Sequence, residues 1–228
     1  MYPSYIQEES PDELADRLVT ELLIGVDGTD IRPGFIGELG TERYFITPSE
    51  ERVFRAAARA HRRTGCPLMT HTTHWGELAL EQLDLFAEEG VAAEHVVVSH
   101  LGDRIGISWW LPIAQRGAWI NIDNLAFIAG YAPLEVRADN VAALCAEGLA
   151  NQIMLSNDVA ELGQLTFYGG PGYANVFNNF LPMLRERKVS EQDIATMLVA
   201  NPAKAFAYDV DAALSSNQVV PTPSAVVQ

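Results

Sequence analysis

The sequence predicts an α/β protein made of one leading helix and five βα units. Three observations carry that reading. Five short apolar runs alternate with helical segments, the last polar residues of successive runs recur at about the spacing of a βα unit, and a turn containing glycine precedes several of the runs. With 228 residues, 48% apolar and 20% charged, the chain is long enough to bury a sizeable core, as one large domain or two small ones.

Ser10-Pro-Asp-Glu13 opens the first element, with a side-chain oxygen placed to cap free backbone N–H groups and acids in the first turn. Leu14, Leu18 and Leu22 follow at helical spacing and Gly25 ends the pattern, predicting a helix over about 11–24. Gly34 to Leu39 is the first apolar run. Thr47-Pro-Ser-Glu50 then starts a second amphipathic helix over about 48–63, with Val53, Phe54, Ala57 and Ala60 on its apolar side. Four more runs follow: Pro67 to Thr72, His95 to His100, Ala118 to Asp123 and Gln152 to Asp158. They are nearly continuous in apolar character, as buried parallel strands are, whereas a half-exposed strand would alternate. Helical segments succeed them around 76–89, 105–116, 136–147 and 174–187, and Ser190-Glu-Gln-Asp193 starts another. The glycine turns Thr64-Gly65-Cys66-Pro67, Glu88-Glu89-Gly90 and Arg116-Gly117 supply the C-caps that lead back into strands.

Composition excludes several classes of function. Thirty acidic against fifteen basic residues give a formal charge of -15, a field that repels phosphate backbones and anionic membrane surfaces. Nucleic-acid and membrane partners are therefore not expected. Cys66 and Cys145 are too few for a disulfide framework or a Cys-x-x-Cys zinc site, and the N-terminus lacks the basic and apolar regions of a signal peptide, so a reduced, cytoplasmic setting is expected. No Gly-x-Ser-x-Gly elbow or phosphate-binding P-loop is present.

The chemistry lies at the strand ends. In a βα barrel, side chains from separate strands converge at the C-terminal ends, which here carry Glu38, His71, His100, Asp123 and Asp158. The intervals between them are 33, 29, 23 and 35 residues. Taken singly, a His or Asp after a strand is as well explained by a cap or a satisfied core group. Two imidazoles and several carboxylates on successive strand ends point instead to a divalent metal, since neutral histidine nitrogen and carboxylate oxygen are the usual ligands of zinc, manganese or iron in hydrolases. Asp123 reads equally as a second-layer or substrate contact and as a structural cap. His61, in a helix, and His95, at the opening of a strand, are expected to be structural or surface groups, and His74 a loop residue.

The segments Gly34-Phe-Ile-Gly-Glu-Leu-Gly-Thr41, Pro67-Leu-Met-Thr-His-Thr72, Val97-Val-Ser-His-Leu-Gly-Asp103 and Ile153-Met-Leu-Ser-Asn-Asp158, with Asn201-Pro202 after the final helical region, resemble the phosphotriesterase-like family of the amidohydrolase superfamily. The resemblance spans roughly 11–208. It implies a (β/α)8 TIM barrel with a metal centre, usually binuclear, in which His71 and His100 bind one ion and Asp158 the other. Many relatives bridge the ions with a carboxylated lysine; Glu38 stands at that position here, as in the branch known as phosphotriesterase homology proteins. The family's His-x-His motif of the first strand has no counterpart, and the first helix resembles the one before strand four.

These features together predict an N-terminally truncated barrel of about five βα units, strands four to eight, over 1–208, followed by a disordered tail over 209–228. Five strands leave two open edges, so an incorrectly placed start, completion by another chain, or self-assembly as a homo-oligomer is expected. The cofactor implied is a divalent metal, zinc first, with manganese, iron or cobalt as alternatives; Glu38, His71 and His100 would suffice for one ion with a position open to water.

The activity implied is hydrolysis of a small-molecule ester, lactone or phosphoester by a metal-activated hydroxide, with Asp158 as the catalytic carboxylate that orients the attacking group and accepts a proton. Trp75, Trp109, Trp110, Phe127, Tyr131, Phe167, Tyr168 and Tyr173 are candidates for an apolar pocket or for barrel-rim packing. His100-Leu-Gly-Asp103 resembles lactonase members, whereas the last loop, Gly163 to Tyr173, is shorter than theirs. The alternative from another class is a non-catalytic barrel fragment that needs a partner chain or a missing N-terminal segment.

Overall fold

The computed structural model describes residues 3–73, 75–127 and 130–216. A short helix, α1 (Tyr5–Glu8), precedes α2 (Pro11–Leu23). The start of α2 is fixed by a reciprocal cap: Ser10 Oγ accepts the Glu13 backbone N–H while the Glu13 carboxylate accepts the Ser10 N–H. Thr47 and Glu50 repeat this cap at the start of α3 (Pro48–Thr64), and Gly65 ends that helix at φ 72°, a left-handed turn that a Cβ would strain. Between the two helices lies β1 (Ile36–Gly40), and the alternation continues through β2 (Leu68–His71), α4 (Ala79–Glu88), β3 (Val96–Ser99), α5 (Leu111–Gln115), β4 (Trp119–Ile122), α6 (Leu134–Ala146) and β5 (Ile153–Leu155). Beyond the last strand come a π-helical turn, Val176–Phe180, then α7 (Leu181–Glu186), α8 (Glu191–Ala195), a second π turn, Thr196–Ala200, α9 (Asn201–Phe206) and α10 (Val210–Ser216).

The five strands form one parallel sheet in the order β1-β2-β3-β4-β5, so each pairs with its neighbours in sequence. Among the described residues, β1 and β5 each pair on one side only. The period of two along each strand divides the side chains between two apolar clusters. Leu68, Val96, Val98, Ile120, Ile122, Ile153 and Leu155 join the helices in the main core, with Phe54 and Phe86 stacked at 5.2 Å among them. Val97, Trp119 and Met154 belong to a smaller cluster on the opposite face, with Met69, Ala205 and Phe206 against it. His71 and Asn121, two residues beyond Met69 and Trp119, follow them on that opposite face. Burial on both faces is why β3, β4 and β5 read as unbroken apolar runs in the sequence.

Two expectations need adjusting. The helix expected over 105–116 is confined to Leu111–Gln115, because Asn140 on α6 holds the preceding segment as a loop: its Nδ2 donates to the carbonyls of Gly102 and Arg104, and its Oδ1 accepts from the Gly106 N–H. The segment expected to be a disordered tail from 209 begins instead as α10, whose Ala213 packs in the main core; 217–228 lie outside the described residues.

A buried ion pair ties the loops to this frame. Arg137, fully buried on α6, donates through Nε to Asp103 Oδ1 at 2.9 Å and to the carbonyls of Asn124 and Phe127. Asp103 also accepts from the Ala132 N–H and from Asn124 Nδ2. The loops after β3 and β4 are thereby fastened to one helix, and stranding either charge by removing its partner costs roughly 3–5 kcal/mol.

Candidate metal centre

Glu38, His71 and His100 come from, or immediately follow, the ends of three adjacent strands, so the parallel sheet itself brings them together. Glu38 needs an irregularity to get there. The register of β1 on β2 shifts between Ile36 and Leu39, an extra residue that re-aims the strand. Gly37 makes this possible, since a Cβ there would lie 2.5 Å from the Met69 carbonyl oxygen. His100 turns the chain out of β3 at φ 62°, a left-handed conformation uncommon for a residue with a side chain. Its N–H donates to Asp123 Oδ1 at 3.0 Å, which helps hold the turn.

Three ligand atoms converge on one point. His100 Nε2 lies 2.7 Å from His71 Nδ1 and 3.5 Å from Glu38 Oε2, and His71 Nδ1 lies 3.1 Å from the same oxygen. On the far side of the ring, His100 Nδ1 meets Asp123 Oδ1 at 2.9 Å, while Asp123 Oδ2 accepts from Asn121 Nδ2 at 2.7 Å. An N–H at Nδ1 held by a buried carboxylate leaves the Nε2 lone pair facing the cluster, the arrangement that outer carboxylates impose on metal-ligating histidines. Of the two readings open for Asp123, the geometry joins both: it contacts the His100 ring and caps the His100 backbone N–H.

The electrostatics agree. Burial alone would push the His100 imidazole down, but the Asp123 and Glu38 carboxylates overcome it and hold it up at about 10. The His100 and His71 rings in turn hold the Glu38 carboxyl down at about 2. Positive charge is therefore favoured where these atoms meet, as a proton on His100 Nε2 or as a cation that displaces it. Two imidazole nitrogens and one carboxylate oxygen are the donor chemistry of a borderline divalent ion, and these residues fit one.

Asp158 sits apart from this triad but within its field. It too is left-handed, at φ 51°, and burial raises its carboxyl above the usual range while the charges of His100, Asp123, Glu38 and His71 all act on it. It lines a cavity of about 410 Å³ beyond β5, with Leu155, Tyr173, Val176, Phe177 and Leu198. The triad and the catalytic candidate thus share one end of the sheet.

Other candidates fall elsewhere. His61 is buried, its Nδ1 2.8 Å from the Cys66 carbonyl oxygen and its ring 4.8 Å from that of His95, so this pair is structural. His74 lies outside the described residues. Trp110 is a core residue, whereas Trp109, Phe167, Tyr168 and Tyr173 are exposed. Phe127 and Tyr131 pack on one another at 4.8 Å, with the Arg137 guanidinium over the Tyr131 ring. Sequence reasoning missed Arg137 altogether; a lone arginine among the apolar residues of a helix carries no spacing signal.

A parallel βα sheet whose strand ends gather two histidines and a carboxylate defines an α/β protein with a candidate metal site. Within that class the chain belongs to the phosphotriesterase family, whose pattern it matches over residues 1–206. It is 38% identical over 205 residues to the phosphotriesterase homology protein of Escherichia coli K12, covering 90% of this chain and 70% of that protein. The crystal structure of the Escherichia coli protein, with phosphate in its active site, superposes with a TM-score of 0.86. A lactonase from Listeria monocytogenes superposes with a TM-score of 0.82 at 30% identity, covering 90% of this chain and 63% of that one. An aryldialkylphosphatase from Saccharolobus solfataricus is 30% identical over 213 residues, covering 90% of this chain and 67% of that enzyme. The family and these hydrolase relatives make this chain a hydrolase-family protein.

Proposed function

We propose that this chain is a metal-dependent hydrolase that cleaves an ester, lactone or phosphoester bond of a small molecule, acting through a divalent ion, zinc first, held by Glu38, His71 and His100. The observation that carries the reading is the convergence of Glu38 Oε2, His71 Nδ1 and His100 Nε2 on one point. When bound, such an ion supplies Lewis acidity, lowering the pKa of a water toward neutrality and polarising the substrate oxygen. The protein's own groups do the rest. Asp123 holds His100 in one tautomer, and Glu38 keeps its charge so that the site balances the cation. Asp158 takes the proton released by the attacking water at a carboxylate oxygen; its burial raises its basicity, which suits a proton acceptor at neutral pH.

Protein loaded with zinc is expected to hydrolyse at least one of an aryl ester, a lactone and a phosphotriester. Chelator should abolish the activity, and added zinc or manganese should restore it. Turnover that persists in chelator, or a metal-loaded protein inert toward all three, rejects the reading.

One observation favours a second component to this proposal, that the site works in a larger assembly. Each outer strand of the sheet leaves an edge of backbone N–H and C=O groups unpaired within the described residues. Association with a second copy, or with a segment that pairs with these edges, would cover them. Sedimentation is expected to give a species heavier than 25.0 kDa. A stable monomer of that mass rejects the self-assembly.

A further inference from the structure

The loops that follow the three triad strands carry a second constellation. Arg43 lies five residues beyond Glu38, Thr73 two beyond His71 and Arg104 four beyond His100, so all three project from the same end of the sheet as the triad. Glu77 joins them: its Oε2 accepts from Arg43 Nε at 2.9 Å and from Thr73 Oγ1 at 3.0 Å, and Arg104 approaches its Oε1 at 3.7 Å. The Arg43 guanidinium lies 3.9 Å from the centre of the Trp75 ring, and that of Arg104 3.6 Å from the centre of the Trp109 ring.

Two guanidinium groups on one carboxylate leave a unit of positive charge in a chain whose net charge is -15. Among the described residues, Arg43 spends only its Nε–H, on Glu77, and Arg104 spends still less. Its side chain is 19% exposed, yet its only polar partner among the described residues is the Glu77 oxygen at 3.7 Å, beyond hydrogen-bond range. The backbone carbonyl of Arg104 is anchored by Asn140 Nδ2 at 2.6 Å, and the guanidinium carbon lies over the Trp109 ring. An arginine packed over an aromatic ring, with its N–H groups unspent, can present paired donors to an oxyanion. A clamp meant only to join loops would spend its donors on carbonyls, as Arg137 does.

We propose that Arg104, with Arg43 beside it, forms an oxyanion-binding subsite at the mouth of the triad, so that the substrate carries a carboxylate, sulfonate or phosphate group in addition to the bond that is cleaved. The inference rests on the hydrolase reading for its meaning as substrate selection, but its test needs no turnover. Arg43 acts with Arg104 by holding Glu77, which keeps that carboxylate from closing on the Arg104 donors.

The test is calorimetric titration of chelator-treated protein with benzenesulfonate and with benzenesulfonamide, its neutral isostere. The parent protein is expected to bind the anion at least tenfold more tightly than the neutral compound, and that preference should weaken as salt is raised. Arg104→Gln should reduce the preference roughly tenfold or more, the equivalent of about 1.4 kcal/mol. Arg116→Gln, which alters an arginine paired with Asp84 elsewhere on the surface, should leave it unchanged. Equal binding of the two compounds by the parent, or an undiminished preference in a folded Arg104→Gln protein, overturns the subsite. Should Arg104→Gln not fold, equal binding of the two compounds by the parent still overturns the subsite. Failure of hydrolysis in the zinc-loaded parent would overturn the hydrolase reading alone, since the calorimetry uses no metal and no reaction.

Discussion

A His71→Ala, His100→Ala variant is expected to lose its divalent metal, while the parent protein, purified gently, carries zinc, manganese, iron or cobalt. The two rings supply two of the three ligand atoms that converge here. Disturbing an outer partner of a ligand already costs about 10–100-fold in metal affinity, so removing two ligands should exceed that range. Elemental analysis of both proteins after identical dialysis reads the difference directly. His100 is buried against Asp123, which keeps only its Asn121 amide and the backbone N–H once the ring is gone, so circular dichroism must accompany the measurement. His71→Ala alone provides the cleaner arm, because that ring is half exposed and its loss strands no buried charge. Equal metal content in parent and both variants would reject the triad as a metal site.

Asp158→Asn is expected to lower kcat by ~10²–10⁴-fold while changing KM far less. The substitution keeps size and shape but removes both the charge and the proton acceptor. A group that receives a proton during attack contributes mainly in the transition state, whereas aromatic loop residues such as Tyr173 act on the bound substrate as well. The assay uses an aryl ester, a lactone and a phosphotriester with zinc in excess, so that weakened metal binding is not mistaken for lost chemistry. Unchanged kcat on every hydrolysed substrate would show that Asp158 is not the catalytic carboxylate. In this structure Asp158 shares the field of the triad and lies outside its three converging ligand atoms.

Much of this site was legible in sequence because a parallel βα sheet is a periodic object. Its strands point one way, so the last polar residues of successive apolar runs arrive at one end of the sheet, and Glu38, His71 and His100 could be named by their place in that repeat. The strands themselves were legible for a related reason, as burial on both faces removes the polar alternation that would hide them. Helix starts at Ser10 and Thr47 were written in the capping residues, whose chemistry is local and complete within four positions.

The loops were not legible, and the reason is distance along the chain. Asn140 prevents a helix before Leu111 from 34 to 38 residues away, Arg137 neutralises Asp103 across 34, and Asp123 orients His100 across 23. None of these contacts has a period or a cap that marks it in advance. Sequence could place Asp123 at a strand end but left two roles open, because the choice depends on whether a ring nitrogen 23 positions away points at it. Trp109 likewise reads as a pocket or rim aromatic until the fold brings the Arg104 guanidinium over its ring. The sequence by itself determined which elements form, in what order, and which side chains reach the end of the sheet, because those follow from local periodicity and capping. Tertiary structure alone decided which of these side chains touch, which nitrogen faces the cluster and which donors are left unspent, because those depend on packing between segments that the chain keeps far apart.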